Sequence, residues 1–213
     1  MIVLGIELSS RQGSLALLKD GELLAEKTWI GENVRHNILF LTLGTLLSEA
    51  GISYGDISLY AVGRGPGSFS GMRMSFAVAQ ALALPGKTEV RAVSSGAALA
   101  LAVACETGAE QIAVIGDARR GQVWLALFQC MGNGTVELFD PWKLVPYEEV
   151  CVPAGALVVS PEAERLIKLF PDIGAPRFPL ARDVAALALK QTEPEPLEPL
   201  YMHPPVFVEP KFG

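Results

Sequence analysis

The chain is poor in the residues that carry metal and nucleophile chemistry. Only two histidines occur in 213 residues, His36 and His203. They form no H-E-x-x-H pattern and no pair at helical spacing, so a metal centre is not expected. His36 reads as a polar residue at a helix start. The three cysteines, Cys105, Cys130 and Cys151, are odd in number and widely spaced. That pattern fits buried free thiols in a reducing compartment, not a disulfide framework or a zinc site. No apolar run has the length of a membrane span without glycine or charge breaking it. The opening residues Met1 to Glu7 lack the basic region of a signal peptide. A cytoplasmic protein with no membrane partner is therefore expected. Positive charge is also scarce: the net charge is −6 and the pI about 5.0. A broad basic face for gripping nucleic acid is thereby excluded.

What the chain does have is apolar bulk and one glycine-rich stretch. Half its residues are apolar, enough core for one large domain or two small ones. The stretch is Gly63-Arg64-Gly65-Pro66-Gly67-Ser68-Phe69-Ser70-Gly71-Met72-Arg73. An apolar run at 57–62 precedes it and reads as a buried strand. Residues 72–84 follow, rich in alanine, and read as a helix with Ser70 as its N-cap. Glycines let backbone approach backbone or ligand closely, and free amides at a helix start attract anions. Two readings stand: a phosphate or nucleotide contact or partner surface, or a tight turn needed for packing alone. The spacing matches neither the P-loop, nor the dinucleotide fingerprint, nor the nucleophile elbow.

Taken in order, the chain opens with three strands, at 2–7, 14–18 and 23–30, with Asp20-Gly21 as a hairpin turn. A helix at 33–50 ends at Gly51. The 57–62 strand, the glycine loop and the 72–84 helix come next. A short strand at 90–93 leads to a helix capped by Ser94 and Ser95 and ending near Gly108. The order β-β-β-α-β-α-β-α predicts a mixed sheet covered by helices. Strands recur at 112–116, 122–129 and 135–138, and helices are expected at 161–170 and 181–190. These define two lobes, 1–108 and a reduced 109–213. The tail from Thr192, with six prolines, is expected to be an extended strap.

Leu39, Leu43, Leu46, Leu47 and Ala50 share one face of the 33–50 helix and form a core stripe. Val34, Ile38 and Leu41 form a second stripe, with Thr45 nearby. Such a helix is buried on both sides, or carries ordinary exposed apolar residues, or is part of an interface. The 72–84 helix, through Met72, Phe76 and Gln80, is expected to join that interface. Asp117-Ala118-Arg119-Arg120-Gly121 reads as a hairpin turn with an Asp117–Arg119 pair, or as a cleft motif. Glu7, ending the first strand, would face a cleft between lobes or stand at an edge without a role.

Together these segments resemble the TsaB (YeaZ) family. Ile6-Glu7-Leu8-Ser9-Ser10 with Ser14-Leu15-Ala16-Leu17 is similar to its opening motif. Gly63 to Arg73 resembles its glycine signature, and Ala79 to Leu84 continues it. Asp117 to Trp124 is similar to its D-A-R-x-G-E-V-Y element, and Pro199-Leu200-Tyr201 to its P-x-Y. Residues 135–195 carry no motif-level similarity. Glu7 departs from the usual Asp, Leu8 from Thr or Ser, and His203 from the usual Arg. The resemblance implies an α/β actin/Hsp70/sugar-kinase-like (ribonuclease H-like) fold of two lobes with mixed sheets flanked by helices. It also implies a role in making N6-threonylcarbamoyladenosine at position 37 of tRNA. The chain would be a non-catalytic subunit that homodimerises in isolation and pairs with the transferase TsaD in a complex completed by TsaE. No cofactor is expected on this chain alone; ATP or ADP, and tRNA, would enter through the complex. A kinase-like ATPase or a peptidase of the same fold is the alternative.

Overall fold

A computed structural model describes residues 1–31, 38–131 and 134–203. The expected helix start at 33–37, with Val34 and His36, lies outside the described residues, as does the tail beyond His203.

Strands β1 (Ile2–Glu7), β2 (Gln12–Lys19) and β3 (Glu22–Ile30) form an antiparallel meander. Asp20 and Gly21, with φ of 53° and 91°, make its two-residue turn, the geometry that matches strand twist. Helix α1 (Ile38–Ala50) follows and buries Leu39, Leu43, Leu46 and Leu47. It stops at Gly51 in the left-handed region, where the Ile52 amide donates to the Leu47 carbonyl at 3.0 Å, a glycine-terminated helix end. β4 (Leu59–Gly63) then lies parallel to β1, and β5 (Glu89–Val93) parallel to β4, on either side of helix α2 (Phe69–Ala83) in sequence. The sheet order is β3-β2-β1-β4-β5.

Helix α3 (Ser95–Thr107), closed by Gly108, leads to a second meander of β6 (Gln111–Arg119), β7 (Gln122–Met131) and β8 (Thr135–Pro146). The short β9 (Leu157–Val159) pairs parallel to β6, giving the order β8-β7-β6-β9. The second sheet thus repeats the first four strands of the first sheet. This is a duplicated ribonuclease H-like arrangement with a reduced second copy. Short helix α4 (Ala163–Leu166) packs on the far side of the second sheet. Helix α5 (Ala181–Lys190) returns to the first sheet, where Ala181, Val184, Ala185 and Ala188 meet Val3, Ala16, Leu59 and Ala61. The layers run α1 and α2, first sheet, α3 and α5, second sheet, α4. No described helix is long and apolar enough to cross a membrane.

Besides β9, which the sequence reading lacks, three elements differ from it. α2 begins three residues early, and its N-cap is Ser68, whose Oγ accepts from the Gly71 amide at 3.2 Å; Ser70 lies inside the helix. β8 runs past Pro141, which an edge strand tolerates because one side has no ladder partner to satisfy. The helix expected at 161–170 shrinks to α4. Residues 167–169 continue as turn, with the Leu169 and Phe170 amides both donating to the Leu166 carbonyl at 2.9 Å, and Pro171 disfavours helical geometry at Phe170.

Candidate functional site

The glycine loop joins β4 to α2 and is packed against the turn between β1 and β2. The Ser68 amide donates to the Ser9 carbonyl at 2.6 Å. A Cβ on Gly67, whose φ is +157°, would be driven into that same carbonyl. Glycine is thus required by backbone meeting backbone. The Gly65 amide donates to Ser95 Oγ at 2.9 Å, and the Ser95 hydroxyl donates to Glu7 Oε2 at 2.6 Å. Much of the loop's hydrogen-bonding capacity is thereby used inside the lobe.

Glu7 ends β1 with no exposed surface. It lines neither the cleft nor an exposed edge, the two places the sequence left open. Its other oxygen accepts from the Ser9 amide at 2.5 Å. Burial pushes its carboxyl above the ordinary range, against the lowering effect of the Ser9 and Ser95 hydrogen bonds. A Cβ on Gly63 would overlap this carboxylate, so the longer side chain at position 7 fits only because position 63 has none.

Asp117, near the end of β6, is the corresponding acid of the second lobe. Its Oδ1 accepts from the Arg119 amide at 2.8 Å and the Tyr147 hydroxyl at 3.1 Å. Its Oδ2 accepts from Arg119 Nη1 at 3.0 Å and Arg165 Nη1 at 3.3 Å. Burial alone would raise this carboxyl, but these donors and the Arg119 charge outweigh it and hold it below the ordinary range. Arg119, Arg120 and Gly121 all have positive φ, the tight hairpin that the Asp–Arg segment predicts. Glu162 caps the same corner, accepting from the Asp117 amide at 2.8 Å. Burial and the neighbouring Asp117 charge raise the Glu162 carboxyl, partly offset by that amide.

Between the lobes lies a cleft of about 700 Å³. Its lining combines apolar side chains, Phe69, Met72, Trp124 and Tyr201, with Arg11, Arg119 and Arg165 beside Asp117, Glu162 and Glu164. Arg11 bridges the lobes with two hydrogen bonds of 2.9 Å to Glu164. Among the described residues no group of three His, Cys, Asp or Glu side chains could hold a metal ion. The sequence did not point to Arg11, Tyr147, Glu162 or Arg165, because their partners are distant in the chain.

The helix pair α1 and α2 covers the far face of the first sheet. Met72 and Phe76 do not form part of its outer surface: they are 1% and 5% exposed, and Phe76 joins Leu39 and Leu43 in the core. These two positions point inward, one turn apart on the buried face of α2. The outward side of α2 carries Arg73, Met74, Ala77, Gln80, Ala81 and Leu84. On α1, Phe40 and Leu41 are 56% and 55% exposed, Thr45 is exposed, and Ile38 is half-buried. Arg73 lies over the Phe69 ring at 5.1 Å.

Comparison with known proteins gives a consistent answer. The family model for TsaD, tRNA N6-adenosine threonylcarbamoyltransferase, matches residues 35–171. The tRNA threonylcarbamoyladenosine biosynthesis protein TsaB of Escherichia coli K12 is 34% identical over 134 residues, 63% of this chain and 58% of that protein. TsaB of Haemophilus influenzae is 30% identical over 162 residues, 74% of this chain and 66% of that protein. These matches therefore span about three-fifths to two-thirds of the curated relatives. YeaZ from Pseudomonas aeruginosa superposes with a TM-score of 0.80 at 29% identity, covering 94% of this chain and 99% of that one. A second crystal structure, of a Pseudomonas aeruginosa protein with similarity to peptidase YeaZ, gives 0.82 at 28% identity, covering 95% and 99%. The chain belongs to the TsaB (YeaZ) family of tRNA threonylcarbamoyladenosine biosynthesis, within the wider family that the TsaD model describes.

Proposed function

We propose that this chain is a non-catalytic, activating subunit that binds a TsaD-type threonylcarbamoyltransferase through the outward face of α1 and α2. The observation that carries the reading is that face itself: Phe40, Leu41, Met74 and Leu84 are large, apolar and exposed on adjacent helices of one layer. Ala77, Ala81 and Gly44 on the same helices are exposed too, and small residues let another helix come close. Large apolar side chains exposed on two helices of one layer are costly in water unless a partner covers them. In isolation a second copy would cover it; in the complex the transferase would, with TsaE, an ATPase, joining the pair. ATP or ADP and tRNA would be handled at that level.

The state of the two lobe-ending acids supports a non-catalytic role. Glu7 is sealed from solvent, and Asp117 is engaged by four donors. Neither is available to organise metal-bound water without dismantling local structure. The test is capture by an immobilised TsaD-type transferase, with ATP hydrolysis assayed on the isolated chain. Parent protein should be retained, Leu41→Glu should be lost, and the isolated chain should not turn over ATP. Retention of the variant equal to the parent would move the interface elsewhere; turnover abolished in Glu7→Gln would restore the kinase-like alternative.

A further inference from the structure

Arg64, in the glycine loop, has only 8% of its surface exposed. A buried guanidinium without a counter-charge is unfavourable, and its partner comes from far along the chain. Arg64 Nη1 donates to Glu195 Oε2 at 3.2 Å, and Nε donates to the Glu198 carbonyl at 3.1 Å. The other Glu195 oxygen accepts from the amide of Ser94, the N-cap of α3, at 3.0 Å. One carboxylate thus joins the end of β4 to the start of α3, where the helix dipole also favours negative charge.

The residues after Glu195 run across the molecule. The Leu200 amide donates to the Arg64 carbonyl at 2.7 Å. The Tyr201 ring meets Phe69 at 5.0 Å. His203 Nε2 lies 2.7 Å from the Ala118 carbonyl in the second lobe; a carbonyl only accepts, so the ring nitrogen is the donor. Pro194, Pro196 and Pro199 stiffen this segment and reduce the entropy lost when it docks. Leu200 to His203 line the inter-lobe cleft.

We propose that Arg64 and the N-terminal end of α3 form a carboxylate-binding pocket whose ligand is the chain's own Glu195, and that this contact latches residues 195–203 across both lobes. The latch draws three motifs together: the glycine signature at Arg64 and Phe69, the Pro-x-Tyr element, and the Asp-Ala-Arg turn at Ala118. The Arg64–Glu195–Ser94 contact itself uses no residue of the outward face of α1 and α2, so its failure and the failure of the proposed partner contact can be told apart.

Amide hydrogen exchange on the full chain tests it, with and without sodium acetate as the probe carboxylate and sodium chloride as the salt control. In Glu195→Ala, exchange at Ser94 and Leu200 should quicken about tenfold, the scale of a local opening. The Leu125 amide in the second sheet should not change. Acetate should restore protection at Ser94, and chloride should not. Glu195→Gln keeps an acceptor for the Ser94 amide but loses the charge. It should leave Ser94 protected and quicken Leu200. Unchanged exchange at Ser94 and Leu200 in both variants would overturn the latch. So would acceleration that includes Leu125 equally, or restoration by chloride as good as that by acetate.

Discussion

The two lobes start alike and end differently. Each begins with a three-strand meander whose first strand carries an acid near its end, Glu7 in one and Asp117 in the other. Each then places a parallel strand beside that first strand. In the first lobe the connection is α1, and a glycine loop with α2 and β5 follows. In the second lobe the connection from β8 to β9 contains only a 3-10 turn among its described elements, and four-residue α4 follows. The outer face of the second sheet is closed by short apolar contacts from Val150, Val152, Leu166 and Ile173. The outer face of the first is closed by two full helices whose far sides expose Phe40, Leu41 and Met74 among polar residues. The second lobe closes its sheet with little surface to spare; the first leaves Phe40, Leu41, Met74 and Leu84 exposed, the residues on which the proposed association rests.

The largest predicted contrast is in the glycines. Gly67→Val forces a side chain into the Ser9 carbonyl at a positive φ and should cost about 3 kcal/mol or more, or prevent folding. Gly155→Ala in the second lobe also has positive φ, 91°, but open space around it, and should cost only about 1 kcal/mol. Chemical denaturation of both would break the contrast if the two variants unfolded alike.

The two acids should respond to pH with opposite signs. Asp117 has a depressed carboxyl, so its contribution is present above its unfolded value of about 3.8 and lost as pH falls through the folded value. Asp117→Asn should lower stability at neutral pH by about 1–2 kcal/mol and flatten the acid limb. Glu7 is raised, so its stabilising contribution is full below about 4.5 and lost as pH rises through the folded value. Glu7→Gln should remove part of the decline on raising pH. Unfolding free energies across the acid range decide it, and parallel curves for both variants would contradict the assignment.

A smaller effect belongs to Asp183, in the first turn of α5. Burial, with the Glu26 charge adding to it and Arg182 opposing, raises its carboxyl to about 6. Its Oδ2 has no hydrogen-bond partner among the described residues, since Arg182 Nε at 3.7 Å is too far to serve. Its stabilising contribution is full below about 3.8 and lost as pH rises through about 6. Asp183→Asn should therefore gain stability at pH 7.5 relative to the parent and match it near pH 4, which thermal melts at the two pH values would show.

Much of the fold was legible because its signals are local. Alternating and continuous apolar runs marked the meanders, and Gly51 and Gly108 marked helix ends. Ala181–Lys190 was found to the residue because its apolar positions recur at helical spacing. β9 was missed, since three apolar residues carry no period. At the site, the glycine signature and the Asp-Ala-Arg turn were visible, but their partners were not. Arg64 finds Glu195, and Arg11 finds Glu164, more than 100 positions away, and nothing local announces such pairs. Met72 and Phe76, expected at the interface, are buried; α2 has apolar residues on more than one side, so its sequence alone does not mark which face turns to the sheet.

The claim that the first lobe carries the association surface is tested most directly by mass in solution. Light scattering would be run on the parent, on Leu41→Glu in α1, and on Leu138→Glu on the exposed side of β8, with circular dichroism to confirm folding. The parent and Leu138→Glu should be dimers. Leu41→Glu should be a folded monomer, because a charge buried without a partner at an apolar contact is strongly unfavourable. A folded Leu41→Glu dimer, or dissociation by Leu138→Glu instead, would contradict the account.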